Sequence, residues 1–512
     1  MKRLPIAALF VFVAACSAPE SAGPTDVFPE HFRWGTAIAG FQVDMGCPTL
    51  PPERCEDRNS DWYAWITDPT IAADETSHLS GDPPTAAPGH WELYAEDYRL
   101  AKEVLHNNAL RFSIEWSRIF PTSTVGVEGF DALKKIADAD AIAHYHAELA
   151  ELKKQGLRPL VTLNHYTLPL WIHDPVACHQ DLDTCPRKGW VDRDGTVTEI
   201  AKYAGFVAQE FGGEVDTWAT LNEPMAVVLP GYIFPSADRT NPPGVSFHSD
   251  AARTVMLAMI EAHARMYDAV HAHDTIDTDG DGKAAEVGVV YAMVPVRPKN
   301  PDNALDRSAA KNIFYLYNSA FLNAVIKGDV DELLDRRTIV HRDDLAGRMD
   351  YLGINYYTRV TVQGTETASL PDLSPLTNFN PLDVSPWENY PRGIYEMALV
   401  ARDYGVPCII TENGTADGDT PNGGLDYLVP HLIWLQRAIR DGADVRGYFY
   451  WTLMDNFEWN HGMDVRMGMF SVNKDDPEKK RTSRRLAEAY GRIARENRVP
   501  DDLQQAWPAP EE

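Results

Sequence analysis

Basic residues are scarce in this 512-residue sequence: 47 Lys and Arg stand against 75 Asp and Glu, a formal net charge of −28. A surface of that sign disfavours the nucleic-acid backbone and anionic membrane surfaces, so neither is expected as a direct partner. Cysteine is rare as well, six residues with no CxxC pair and no partner His at metal-ligand spacing, which weighs against a metal reading of the loop cysteines. No Gly/Ser-rich linker, long charge run or low-complexity tract divides the chain after its first residues. No Gly-rich phosphate-binding fingerprint follows the first candidate strand, so a doubly wound dinucleotide-binding sheet lacks its signature. What is present is 44% hydrophobic, 24% charged and 10% aromatic residues, a composition that builds a large core and excludes disordered, collagen-like and coiled-coil chains. Thirteen Trp, 21 Tyr and 18 Phe suit that core and equally a cleft walled by flat rings.

The start of the chain has its own grammar. Met1-Lys2-Arg3 is basic and residues 4–15 form an apolar run of 12, too short to span a bilayer as a mature helix, so residues 1–15 read as a signal peptide. The run closes Val13-Ala14-Ala15-Cys16, which resembles the lipobox of bacterial lipoproteins and implies a lipidated Cys16 as the mature N-terminus. An ordinary small-residue cleavage site beside an unrelated Cys is the alternative. Residues 16–26, with two Pro and no bulky apolar side chain beyond Cys16, read as a flexible tether. The expected address is the cell envelope: exported, lipid-anchored at the periplasmic or outer-membrane face or the cell surface, with the lipid as the only membrane contact. Cys47 and Cys55, and likewise Cys178 and Cys185, lie close together in Pro- and Asp-rich loops, and in an oxidising compartment each pair is expected to form a short-loop disulfide. Cys408, inside Pro407-Cys-Ile-Ile-Thr, reads as a small buried hydrophobe.

From there the sequence alternates. Eight β-branched or aromatic runs are expected as strands at Phe32–Gln42, Ala109–Trp116, Arg158–Tyr166, Thr217–Pro224, Val287–Pro298, Asp350–Thr358, Pro407–Gly414 and Val445–Phe457. Helical periodicity fills the intervals at Tyr94–Leu105, Ala141–Gln155, Glu199–Phe211, Ala251–His273, Asn303–Ile326, Gly393–Tyr404 and Asp426–Arg440, with Arg485–Asn497 closing the chain. The α/β pattern predicts a single (β/α)8 TIM barrel with long βα loops over 27–500, followed by a C-terminal tail, 501–512. In such a barrel the chemistry belongs at the C-terminal ends of the strands.

The polar residues fall there. Thr217-Trp-Ala-Thr-Leu-Asn222-Glu223-Pro224 is an apolar run ending in an amide and a carboxyl, and Ile409-Ile-Thr-Glu412-Asn-Gly ends another in a carboxyl. Two carboxyls across a barrel mouth can divide labour, one with raised proton affinity acting as acid and the other ionised and attacking, which is the requirement for cleaving a glycosidic bond. Taken singly, each is more simply a strand-end Glu with local hydrogen bonds. Arg111 is a cation on an otherwise apolar strand, suited to keep a carboxylate ionised. His165 and Tyr166, Asn355 and Tyr357, Trp451, Glu458 and Trp459, and Gln42 add imidazole, amide, phenol, indole and carboxylate at the same ends. Each alone is more often core than ligand.

Together these segments resemble the family 1 glycoside hydrolases, the β-glucosidase/β-galactosidase family. The resemblance runs from about Phe28 to Arg495 and rests on Phe32 to Gln42, Arg111-Phe-Ser-Ile-Glu-Trp-Ser-Arg, Asn222-Glu223-Pro224, Gly353-Ile-Asn-Tyr-Tyr-Thr358, Thr411-Glu412-Asn-Gly and Trp451 to Trp459. It implies Glu223 as acid/base, Glu412 as nucleophile, Arg111 and Tyr357 as its support, and Asn222 against the sugar 2-hydroxyl. It implies a glycone subsite lined by Gln42, His165, Asn355, Trp451, Glu458 and Trp459, with Tyr166 beside it where the family usually has Trp. Arg466-Met-Gly-Met-Phe470 departs from the usual Arg-Phe-Gly-Leu. Glu458 stands where the phospho-sugar branch typically lacks it, which favours unphosphorylated sugars. The implied substrate is a β-linked oligosaccharide or an aryl or alkyl β-glycoside, and no cofactor is required. Transglycosylation through the same intermediate and a non-catalytic sugar-binding barrel are the alternatives. Separately, Asp277, Asp279 and Asp281 with Gly282 read as the start of a calcium loop whose position 12 is Gly288, with Glu286 as a possible substitute ligand; a plain acidic turn is the simpler reading.

Overall fold

The computed structural model describes residues 27–384 and 387–510, so the expected signal peptide, tether and lipidated Cys16 lie outside the described residues. Eight strands, β1 (Arg33–Ala37), β2 (Ala109–Ser113), β3 (Arg158–Asn164), β4 (Thr217–Asn222), β5 (Glu286–Ala292), β6 (Tyr351–Asn355), β7 (Cys408–Glu412) and β8 (Val445–Trp451), close into one barrel. Every neighbouring pair is parallel, with β1 joined to both β2 and β8. The surrounding helices are α1 (His90–Glu103), α2 (Ala139–Gln155), α3 (Arg193–Phe211), α4 (Ser249–His273), α5 (Ala304–Phe314), α6 (Arg392–Tyr404), α7 (Leu425–Arg440) and α8 (Arg485–Glu496).

Local chemistry explains the boundaries. α2 starts where Asp138 accepts from the N–H groups of Asp140 and Ala141, and ends at Gly156 with φ 68, a left-handed cap that glycine adopts freely. β2 and β4 are buried along their whole length, as strands covered on both faces must be. Inside the barrel small residues sit opposite large ones: a Cβ on Gly35 would lie 2.4 Å from the Phe449 ring. Ala37, Ala109 and Ala219 pack in the same cluster as Tyr351 and Phe449. Asn497, the left-handed cap of α8, ties the end of the barrel to its beginning: its backbone carbonyl accepts from Phe28 N–H at 2.9 Å and its Oδ1 from Trp34 Nε1 at 2.8 Å.

Several expected strands are shorter than their apolar runs. The first stops at Ala37, and Gly40–Val43 is a helical turn, so Gln42 reaches the barrel mouth from that turn rather than from a strand. The run Val287–Pro298 divides into β5 and a short strand, Val296–Pro298, that leaves the barrel to pair with Val360–Val362. The eighth strand ends at Trp451, which puts Glu458 and Trp459 in the loop beyond it. The expected tail folds into a helix, Asp501–Ala506, and Leu503 and Trp507 pack on the core. Both disulfides form, Cys47–Cys55 and Cys178–Cys185, and Cys408 is buried and free. Among the described residues no helix is long and apolar enough to cross a membrane.

Candidate active site

β7 delivers Glu412 and β4 delivers Asn222, with Glu223 in the next position at φ 46 as the chain turns into the helix Pro224–Tyr232. A non-glycine residue in the left-handed region stores of order 1–3 kcal/mol and persists where its surroundings dictate it; here Glu223 N–H is held on Val290 O at 2.8 Å and Pro224 opens the helix. Both carboxyls line one cavity of about 670 Å3 at the barrel mouth, together with His165, Tyr166, Asn355, Tyr357, Trp451, Glu458 and Trp459. Arg111, Asn222 and Gln42 are buried in the layer beneath.

That layer fixes what the cavity presents. The Arg111 guanidinium donates to Glu412 Oε1 at 2.5 Å, to Asn222 Oδ1 at 2.7 Å and to Thr162 Oγ1 at 3.0 Å. Tyr357 gives the other Glu412 oxygen a hydrogen bond at 2.6 Å. Since Arg111 only donates, Asn222 must turn Oδ1 towards it, which leaves Nδ2 facing His165 Nε2 at 3.2 Å. Nε2 is then the acceptor and His165 Nδ1 carries the proton, without a protein partner. Burial, helped by the Arg111 charge, holds the His165 pKa well below its usual range, so the imidazole is neutral. Its ring lies nearly parallel to Trp451 and Trp459, with centroids 5.8 and 5.9 Å away. Asn355 donates to Glu223 Oε1 at 2.8 Å, while its own Oδ1 is held by Thr411 at 2.8 Å. Gln42 Nε2 donates to Glu458 Oε2 at 3.1 Å, leaving Gln42 Oε1 unpartnered. The site thus offers a carboxylate pair, a neutral imidazole N–H, an amide oxygen and parallel indoles, which is the equipment for gripping a ring of hydroxyls.

Residues 24–499 match the family model described as glycosyl hydrolase family 1. The chain belongs to glycosyl hydrolase family 1. It is 37% identical over 486 residues to a β-galactosidase of Pyrococcus woesei, covering 87% of this chain and 93% of that protein. A β-glucosidase A of Thermotoga maritima is 28% identical over 502 residues, covering 93% and 99%. Among solved structures, a β-glycosidase from the hyperthermophile Thermosphaera aggregans superimposes with a TM-score of 0.79 at 30% identity, covering 94% of this chain and all of that one.

Within this family-1 barrel burial lifts Glu412 to about 7, with Arg111 pulling down and the Glu223 charge pushing up. Tyr166 lines the cavity and its hydroxyl bonds Glu223 Oε2. Of the two departing methionines, Met467 lines the cavity and Met469 is core.

Arg239 escapes sequence reasoning, because it sits in a Pro-containing loop with no strand end to flag it. Its guanidinium lies 3.7 Å from Glu458 and 5.8 Å above the Tyr166 ring, and NH1 has no hydrogen-bond partner. The calcium expectation does not fit. Asp277, Asp279 and Asp281 do bring oxygens within 4.8 Å of one another on an exposed turn, and they accept from the N–H groups of Gly280, Gly282, Asp281 and Lys283. Glu286, however, opens β5 and is held by Arg33 at 3.0 Å and Arg446 at 2.8 Å, and Gly288 has no side chain. The loop lacks the bidentate carboxylate that completes such a site and reads as an acidic turn.

Proposed function

We propose that the protein is a retaining exo-β-glycosidase that removes terminal, non-reducing, unphosphorylated β-D-glycosyl residues by double displacement. Glu412 attacks the anomeric carbon while Glu223 passes its proton to the leaving oxygen; Glu223 then takes a proton from the water that displaces Glu412 and frees the sugar. The observation that carries this reading is the placement of Glu412, held on both oxygens by Arg111 and Tyr357 in the cavity that Glu223 also lines. Both protons and charge balance on these two carboxyls, so the chemistry needs no cofactor. His165 Nδ1–H, Gln42 Oε1 and Glu458 are the groups left for sugar hydroxyls, and the Glu458 charge disfavours a 6-phosphate. The β-galactosidase and β-glucosidase relatives make glucosides and galactosides the first substrates to try. With nitrophenyl β-glycosides, nuclear magnetic resonance of the first sugar released should show the β anomer; initial release of the α anomer overturns the mechanism.

The envelope address belongs to the same proposal. A basic start, a 12-residue apolar run and Ala15-Cys16 support export and lipidation at Cys16, and the two disulfides suit an oxidising compartment. In its native host, Cys16→Ser should move activity from the membrane fraction to the soluble fraction. Recovery of the mature wild-type chain with an unmodified Cys16 rules the anchor out.

A further inference from the structure

Tyr166 occupies the position after His165 where the family usually carries Trp, and its hydroxyl donates to Glu223 Oε2. The backbone is pinned to bring it there. Tyr166 has φ 73, a left-handed conformation that a bulky side chain adopts only where its surroundings dictate it. Around it, Asn164 Nδ2 donates to Thr167 O at 2.8 Å, Thr167 Oγ1 to the buried Glu115 Oε2 at 2.5 Å, and Leu168 N–H to Asp61 Oδ1 at 2.9 Å. The ring is buried against Trp459 and His165, with centroids 4.8 and 4.9 Å away, and Arg239 lies above it. Burial, and then the Glu223 charge, hold the phenol pKa well above its usual range, so the hydroxyl keeps its proton and stays a donor.

The other oxygen of Glu223 is already committed. Asn222 Oδ1, bound to Arg111, can only accept, so Asn355 turns its Nδ2 towards it at 3.2 Å, and the same Nδ2 donates to Glu223 Oε1 at 2.8 Å. An amide N–H bonds best to the carbonyl-type oxygen of a carboxyl. That leaves Oε2, the atom Tyr166 faces, to carry the proton that Glu223 passes on. While it carries that proton, Oε2 is the hydroxyl oxygen of an acid and a poor acceptor. Once the proton has bonded to the leaving oxygen, which also takes the electron pair of the broken glycosidic bond, Oε2 belongs to a carboxylate. The hydrogen bond from Tyr166 is then charge-assisted and roughly twice as strong. A contact that strengthens on the way to the transition state lowers the barrier. In the second half of the reaction a water proton returns to Oε2 as the water oxygen bonds the anomeric carbon and the Glu412 ester breaks, so there the same hydrogen bond weakens and accelerates nothing.

We propose that Tyr166 is a positioning residue for the acid step, whose hydroxyl, donating to Glu223 Oε2, promotes proton delivery to leaving groups that cannot depart without one. The inference rests on the glycosidase reading above and adds a group to it. Tyr166→Phe removes only the oxygen and keeps the ring against Trp459 and His165. On phenyl and alkyl β-glycosides of the preferred sugar its kcat/KM should fall about tenfold. On the dinitrophenyl β-glycoside, whose leaving group departs as the anion, kcat/KM should stay within about threefold of wild type. With that substrate kcat, limited by release of the glycosyl ester and recognised by a burst of dinitrophenolate, should hold or rise. Tyr166→Leu, which discards the ring as well, should show the same split of about tenfold between the two leaving-group classes, whatever it loses on both. Adding Tyr166→Phe to Glu223→Ala should change kcat/KM on the phenyl β-glycoside by less than about twofold, because the effect runs through Glu223. Equal losses on the two leaving-group classes, a kcat on the dinitrophenyl substrate that drops with them, or a further tenfold loss in the double variant overturns the proposal. A wild type inert to the dinitrophenyl β-glycoside brings down the glycosidase reading and this role together; an active wild type with equal losses in Tyr166→Phe removes the role of Tyr166 alone.

Discussion

Two clusters in this molecule have nearly the same chemistry. At the barrel mouth, Glu412 sits on Arg111 and burial lifts it to about 7. Just past the end of β2, Glu115 is buried as well and likewise lifted to about 7, in a group with Asp44, Asp57 and Arg118. Asp44 is raised to about 8, again by burial first. The difference lies in what surrounds them. Glu115 is closed off by the hydroxyls of Ser113 at 2.6 Å and Thr167 at 2.5 Å, and Arg118 is covered by Trp91 at 3.8 Å and holds Cys55 O at 2.8 Å. None of these residues lines the cavity, whereas Glu412 and Glu223 do. Elevated carboxyl affinity therefore reports burial in both places, and only the open cavity beside one of them turns it into chemistry.

The sharpest way to break this comparison is to neutralise each carboxyl in turn. Glu412→Gln should lose roughly four or more powers of ten in kcat on a nitrophenyl β-glycoside, because a carboxamide cannot form the glycosyl ester. Glu115→Gln should stay within about tenfold of wild type, since Ser113 and Thr167 can still bond the amide. Comparable losses in the two variants would mean that the Glu115 group takes part in the reaction rather than in the scaffold.

The second expectation concerns stability, to which the Glu115 group contributes through its buried proton. Its folded pKa, about 7, exceeds the ordinary 4.5, so the folded state holds more protons than the unfolded one across that window. Stability from this group is complete below about 4.5 and is lost as pH rises towards 7, of order 3 kcal/mol in total. Asp44 acts with the same sign, extending the loss towards 8. In Glu115→Gln the drop in Tm between pH 5 and pH 8 should shrink by a few degrees. An unchanged drop would place the proton elsewhere in the group.

Much of this was legible in the sequence, for identifiable reasons. The eight strands announce themselves because parallel barrel strands are buried on both faces and read as unbroken apolar runs, and Asn222-Glu223-Pro224 and Glu412 stand out where such runs end in a carboxyl. Local patterns fail where the backbone departs from a strand without a change in apolarity. Gln42 comes from a helical turn, and the strand Val296–Pro298 leaves the barrel within what looks like a single run. Arg239 and the Tyr166 contact with Glu223 depend on loops folding back over the mouth, which no spacing encodes. The raised proton affinity of Glu412 was also out of reach, since it depends on how deeply Glu412 is buried and on the charges around it. Glu286 misled for a related reason: proximity in sequence to Asp281 says nothing about its pairing with Arg33 and Arg446.

The smallest expected effect is the most specific to the barrel mouth. Tyr357 donates to Glu412 at 2.6 Å and so favours the ionised carboxylate, whereas no phenol donates to the Glu115 carboxyl. Removing that donor in Tyr357→Phe costs the anion a hydrogen bond of about 1.5 kcal/mol and leaves the acid form untouched, so the Glu412 pKa should move up by roughly one unit from about 7. Because attack needs the ionised form, kcat/KM of the free enzyme falls as pH drops through that value, and the acid limb of its pH profile should move to higher pH by the same amount. The variant should therefore lose about tenfold more kcat/KM at pH 6 than at pH 9, whatever constant factor it loses by misplacing the nucleophile. An equal loss at both pH values would assign Tyr357 to positioning alone and leave Arg111 as the group that keeps Glu412 charged.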